Sequence, residues 1–428
     1  MIRLNLTCKK FFLAVVLSFT VFSLIAADRY SVATGNWNVN ATWSATSGGA
    51  PGASFPVAGD NVFIEGGQTV TITADAVCAN LNIANGSTLT IGGFNLSVSG
   101  TTSLSGTINY TSTTGTKTYT GLVTINAGGI WNNTTNNESV TIRGGITNNG
   151  TFNAGTGTYT FNTNNQALTG TISIPNVTVT GITLTNNGTL TAGTDLSGTG
   201  GLIQGVNATL NLGGTSGITS ITATNNGNTV NYSGGAQTVK ATTYFNLIIS
   251  GGGIKTMAGN VNVSGTLTLS AGTFTVGANT LTLNGPTIAG TPANLVTAAT
   301  SSLVFGGTSA GVLIPTSVVA LNGLSITNTN IVTLQSSLTV SGTFNPTGAG
   351  LSIGANTLTL NGIINCGTLV GGATSNIIIG GAGAATLPGV TLNNLTVNRA
   401  VTMCGNVTVG GTLTLTSGAL SIAANTLT

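Results

Sequence analysis

The segment Val263-SGTLTLSAGTFTVGANTLTLNG-Pro286 decides how this chain folds. Its apolar residues come in pairs split by one Thr: Leu267 with Leu269, Phe274 with Val276, and Leu281 with Leu283. Alternation with period two marks a strand that buries one face. Each pair starts seven residues after the last, and Ser-Ala-Gly or Gly-Ala-Asn stands between them. Such residues suit tight corners, so the segment predicts very short strands joined by turns.

Two further copies of this segment follow. They are Val340-SGTFNPTGAGLSIGANTLTLNG-Ile363 and Val409-GGTLTLTSGALSIAANTLT, the second ending at Thr428. The copies start 77 residues (340 minus 263) and 69 residues (409 minus 340) apart, and the linking segments Leu303-Val-Phe-Gly-Gly and Ile377-Ile-Ile-Gly-Gly also correspond. The same alternation reaches back through Leu96-x-Val98, Leu89-x-Ile91 and Leu81-x-Ile83 to Val62-x-Ile64. Units that cannot bury an apolar face alone must stack on their neighbours, which is the logic of a solenoid. The expected fold is therefore all-β: a single parallel β-helix, or β-solenoid, with an N-terminal cap and coils of roughly 20–25 residues, roughly 16–20 in number. Right-handed crossovers are the default for parallel strands. An outer-membrane barrel would need an apolar outward band with aromatic girdles. Here the alternate positions are Thr, Ser and Asn, and aromatics make up only 5%.

The expected organisation has three parts. Residues 1–27 read as a signal peptide, because three basic residues within Met1–Lys10 precede the apolar run Phe11–Ile25 and the small pair Ala26-Ala27. Residues 28–83 form the cap and first coils, and 84–428 the solenoid repeats. The third copy stops short of the Leu-Asn-Gly with which the others continue, so the repeat predicts further chain beyond Thr428. No later segment reads as transmembrane.

Composition narrows the function. Of 428 residues 64 are Gly, 4% are charged and none is His. The net charge of +3 lies in the leader: past residue 27, six basic residues face six acidic ones. A neutral mature chain has no basic patch for phosphate contacts, so nucleic acid is excluded as a partner. Asp60, Glu65 and Asp75 are the only acidic group close in sequence, and Asp195 is the last carboxylate of the chain. Polysaccharide-cleaving sites need paired carboxylates, or calcium with a base, so no enzyme activity, cofactor or metal is expected. A polysaccharide-binding or polysaccharide-degrading β-helix is the alternative. Cys78, Cys366 and Cys404 match no metal-ligand spacing; they read as small buried residues, with a Cys366–Cys404 disulfide open to an exported chain.

Trp37, Trp43 and Trp131 are the candidate ligand-stacking residues. The competing role for Trp37 and Trp43 is to plug the open core beneath the first coil. A second alternative is ice binding through outward Thr arrays. The pairs Thr266 with Thr268, Thr280 with Thr282, Thr357 with Thr359 and Thr412 with Thr414 suggest it, but they follow the long repeat and not every coil.

The N-terminal segment carries Gly-Asn-Trp37-Asn-Val-Asn-Ala-Thr-Trp43, then Pro56-Val-Ala-Gly-Asp60-Asn-Val-Phe-Ile64 and Gly67-Gln-Thr-Val-Thr-Ile72. It resembles the opening of secreted Bacteroidetes β-helical repeat proteins, and loosely the G8 domain. The resemblance implies export, by type IX secretion in many such proteins, followed by attachment to the cell surface or release. No segment here matches their C-terminal sorting domain. The expected protein is a secreted or cell-surface, adhesin-like structural solenoid without catalysis. Its expected partners are surface glycans or other cell-envelope components.

Overall fold

A computed structural model describes residues 26–428; the signal-peptide assignment falls almost wholly outside them. Nearly half of the chain is strand, none of the described residues is in an α-helix, and parallel coils stack into a β-solenoid of about 19 turns. At roughly 4.8 Å per turn the rod is about 90 Å long. Among the described residues no helix is long and apolar enough to cross a membrane.

Each coil has three faces. One runs through Leu81–Ile83, Thr88–Ile91 and Leu96–Val98, and the next through Thr102–Leu104, Thr107–Tyr110 and Lys117–Tyr119. Register places Leu81 opposite Thr102, Thr88 opposite Thr107 and Leu96 opposite Lys117. Because side chains alternate along a strand, in-register stacking aligns every inward residue in a column and every outward residue in a rank. The inward columns, including Leu184, Leu202, Leu190, Leu210 and Val230, merge into one continuous buried core.

The first turn is different. Asp28–Ser31 pairs antiparallel with Trp43–Ser44 and parallel with Asn61–Ile64. Between them the chain makes a single 3₁₀ turn at Asn40–Thr42, and the indoles of Trp37 and Trp43 meet edge-to-face at 5.4 Å. The Trp43 Nε1–H donates to the Trp37 carbonyl at 2.7 Å, so the polar atom of a fully enclosed ring is satisfied.

The long sequence repeat does not coincide with whole turns. Val263 ends a strand of the first face, Val340 one of the third and Val409 one of the second. Each copy therefore advances three turns and two faces, which is eleven strand positions. Eleven is not a multiple of three, so a motif of the repeat lands on a new face in each copy. The residues of the Thr-x-Thr motifs scatter accordingly: Thr280 lies on the first face, Thr268 on the second and Thr359 on the third.

Corners are set by close approach as well as by turn conformation. A Cβ on Gly362 would run into the carbonyl oxygen of Gly342 one turn below, whereas a Cβ on Gly372 meets nothing. Gly362→Ala should destabilise the adjoining coils by about 1–3 kcal/mol, as overpacking does. Gly372→Ala should be neutral or slightly stabilising. Denaturant titration of the two variants side by side tests this; equal effects would refute the role of the approaching carbonyl.

Candidate functional site

The most regular surface is the second face. Its strands read Thr69-Val-Thr-Ile72, Thr88-Leu-Thr-Ile91, Thr107-Ile-Asn-Tyr110, Thr209-Leu-Asn-Leu212 and Thr229-Val-Asn-Tyr232, so the apolar residues point in and the Thr and Asn point out. Register aligns Thr69, Thr88, Thr107, Ile130 and Thr151 in one outward rank, and Thr171, Thr189, Thr209, Thr229 and Asn246 in another. Beside them run Thr71, Thr90, Asn109, Asn132 and Asn153, then Ser173, Thr191, Asn211, Asn231 and Ile248. No charged residue occupies any of these outward positions.

The two ranks differ chemically. Amides of the second rank bond along the axis: Asn132 Nδ2 donates to Asn109 Oδ1 at 2.9 Å, and Asn231 Nδ2 to Asn211 Oδ1 at 3.1 Å. Asn211 Nδ2 also donates to the Thr191 hydroxyl at 3.3 Å. In the first rank the hydroxyls of Thr69, Thr88, Thr107, Thr189, Thr209 and Thr229 have no protein partner among the described residues, and these side chains are half-buried at their bases. They are left to bond water.

This face was not visible in the sequence because successive first-rank residues lie 17 to 23 positions apart, from Thr229 to Asn246 and from Thr107 to Ile130. A search for a fixed period passes over them. Only pairing register brings them together.

The three indoles lie elsewhere and offer no face to a ligand: Trp37 is 1% exposed, Trp43 and Trp131 0%. The stacking role is corrected on this ground. Trp131 packs 5.3 Å from Tyr110, 5.2 Å from Tyr119 and 5.8 Å from Phe152, and its Nε1–H donates to the Tyr159 hydroxyl at 2.9 Å. The acidic group also disperses into local structure. Asp60 accepts the Val57 backbone N–H and pairs with Arg29 at 3.5 Å, while Glu65 accepts the Ser47 hydroxyl. Asp75 accepts both the backbone and the side-chain N–H of Asn95, which hold its carboxyl below the usual range. Among the described residues no three His, Cys, Asp or Glu side chains are grouped to hold a metal.

Several charges sit inside the coils. Lys117 occupies an inward position between Leu96 and Val140; its Nζ donates to the Thr114 carbonyl at 2.7 Å and lies 3.4 Å from the Glu138 carboxylate. Desolvation lowers the Lys117 pKa and raises that of Glu138, and their mutual attraction opposes both shifts. Lys255 has no carboxylate partner: its Nζ donates to the carbonyls of Gly234, Gly251 and Gly252. Arg399 likewise donates to the carbonyls of Gly362, Ala382 and Gly383. These cations close corners.

Cys366 and Cys404 form a disulfide with Cα atoms 6.2 Å apart, while Cys78 is buried and free. The bridge clamps coils two turns apart, since Ile364 neighbours Ala385 and Thr386–Leu387 in turn pairs with Val401–Met403. Burial, reinforced by the Asp60 charge, pushes the Cys78 thiol up to about 12.

The chain matches no protein-family model, no curated protein and no solved structure.

Three outcomes are expected. Lys117→Met leaves the Glu138 carboxyl buried without its partner and should cost about 3–5 kcal/mol, whereas Lys117→Met with Glu138→Gln should recover most of it. A double-mutant cycle in denaturant reads the coupling, and additive losses would refute it. Reducing the disulfide, which spans 38 residues, should destabilise the C-terminal coils by about 4 kcal/mol on the chain-entropy account. Cys78 should stay unalkylated near neutral pH until the chain unfolds; rapid labelling of the folded protein would contradict its enclosure.

Proposed function

We propose that this protein is exported and acts at the cell surface or outside the cell as a non-catalytic, adhesive or structural solenoid of the Bacteroidetes repeat type. The observation that carries the proposal is the rod itself: about 19 stacked turns whose outward positions are mostly Thr, Ser and Asn. A stack held by backbone bonds along its axis is a stiff spacer, and each turn adds another row of the same polar surface. Hydroxyl and amide groups in ranks suit surface glycans or other cell-envelope components, which present hydroxyls of matching chemistry. The leader-like residues 1–27 and the Cys366–Cys404 disulfide support an oxidising destination outside the cytoplasm.

A deletion strain tests the proposal. It should attach less well to surfaces or assemble an altered envelope, and complementation with the full chain should restore the parental behaviour. The exported protein recovered from the parent should begin near residue 28. A deletion strain indistinguishable from its parent in attachment and envelope, or a protein retained in the cytoplasm with residues 1–27 intact, would refute it.

A further inference from the structure

The second face has a geometry that adhesion to a glycan does not require. Along the axis its ranked side chains repeat at the spacing of parallel strands, about 4.8 Å, and across it residues i and i+2 stand roughly 6.6–7 Å apart. A tetrahedral water lattice with oxygens about 2.75 Å from their neighbours has second neighbours about 4.5 Å apart and a layer repeat of about 7.3 Å. The two nets agree to within about a tenth in each direction. Runs of four or five turns therefore stay in step, and two such runs exist, Thr69 to Thr151 and Thr171 to Thr229.

The side chains reinforce the match. Threonine is restricted at χ1, so a rank of threonines held in a sheet presents methyl and hydroxyl groups at repeated, ordered positions. The first-rank hydroxyls have no protein partner among the described residues, whereas the neighbouring amides are already bonded to one another. No charge on this face imposes an ionic hydration shell of its own. Ile130, the one break in the first run, keeps a methyl-bearing β-branched side chain at the same outward position. A protein partner would call for an apolar patch, and outward apolar residues on the strands of these ranks are limited to Ile130 and Ile248.

We propose that the second face, from Thr69 to Asn246, is an ice-binding surface that orders water in step with its threonines and docks that layer on a crystal. The sequence pairs that first suggested this activity belong to the long repeat and scatter over three faces; the residues that carry it are the N-terminal ranks aligned by register. The inference is independent of the adhesive role, since it requires neither export nor a partner molecule.

Purified residues 28–428, with the disulfide intact, should shape ice crystals into facets and show a thermal hysteresis gap. Thr189→Tyr with Thr209→Tyr should abolish both, because two bulky rings in the middle of the second run lift the face off the lattice. Thr189→Ser with Thr209→Ser, which removes only the ordered methyls, should reduce the gap. Thr359→Tyr with Thr396→Tyr on the third face should leave it unchanged, and circular dichroism should show all variants folded. Round, unfaceted crystals with no hysteresis from the parent chain would overturn the proposal. So would equal losses from the second-face and third-face tyrosine pairs, or unchanged hysteresis in a folded serine pair should the tyrosine pair not fold. Binding to insoluble cellulose or chitin without crystal shaping would assign the face to a polysaccharide and equally overturn it.

Discussion

The structure depends on one interaction, the ladder of parallel backbone hydrogen bonds between each turn and the next. Along the first face it passes from Leu81 to Thr102, Val123 and Ile146, each step in register with no slip of one residue. A slip would turn the inward columns outward, so burial of Leu, Ile and Val enforces the register as firmly as the bonds do. Given that ladder, everything lateral follows. The core is continuous, the outward residues fall into ranks, and corners may vary in length without disturbing either.

The same ladder explains how a chain with so few charges holds together. Backbone groups are satisfied along the axis, so helix caps and surface ion pairs have no structural task. Several of the charges go inward, where Lys117, Lys255 and Arg399 satisfy carbonyls that the corners would otherwise leave unbonded. Buried cations without such partners would be costly. This use of charge has a consequence outside: the second face stays free of ions over its whole length. A neutral hydroxyl surface and a set of buried lysines are two sides of one arrangement.

The Cys366–Cys404 bridge and the tryptophans show how packing separates residues of one type into different roles. Cys78 sits on an inward column and is inert, while Cys366 and Cys404 flank an intervening turn and are joined. Trp37 and Trp43 close the N-terminal end of the core, but Trp131 is part of an aromatic cluster deep in the stack with Tyr110, Tyr119, Phe152 and Tyr159. Nothing in the neighbourhood of Ile130-Trp-Asn-Asn announces this, because its partners come from the turns before and after.

Alternation of apolar and polar residues, with Gly, Ser and Asn between, was enough to determine strands, corners, stacking and the approximate number of turns. These are local properties: period two selects the strand, corner residues end it, and an apolar face too small to fold alone demands a neighbour. What each outward residue stands beside was decided only in three dimensions. Turns of 17 to 23 residues on the second face hide its ranks from any fixed period, and a repeat of eleven strand positions moves its own motifs from face to face. Neighbours across turns are chosen by hydrogen-bond register, which is a property of the stack and not of any one segment. The buried Lys117–Glu138 pair, the carbonyl cage around Lys255 and the threonine ranks all belong to that register, and so became legible only with the tertiary structure.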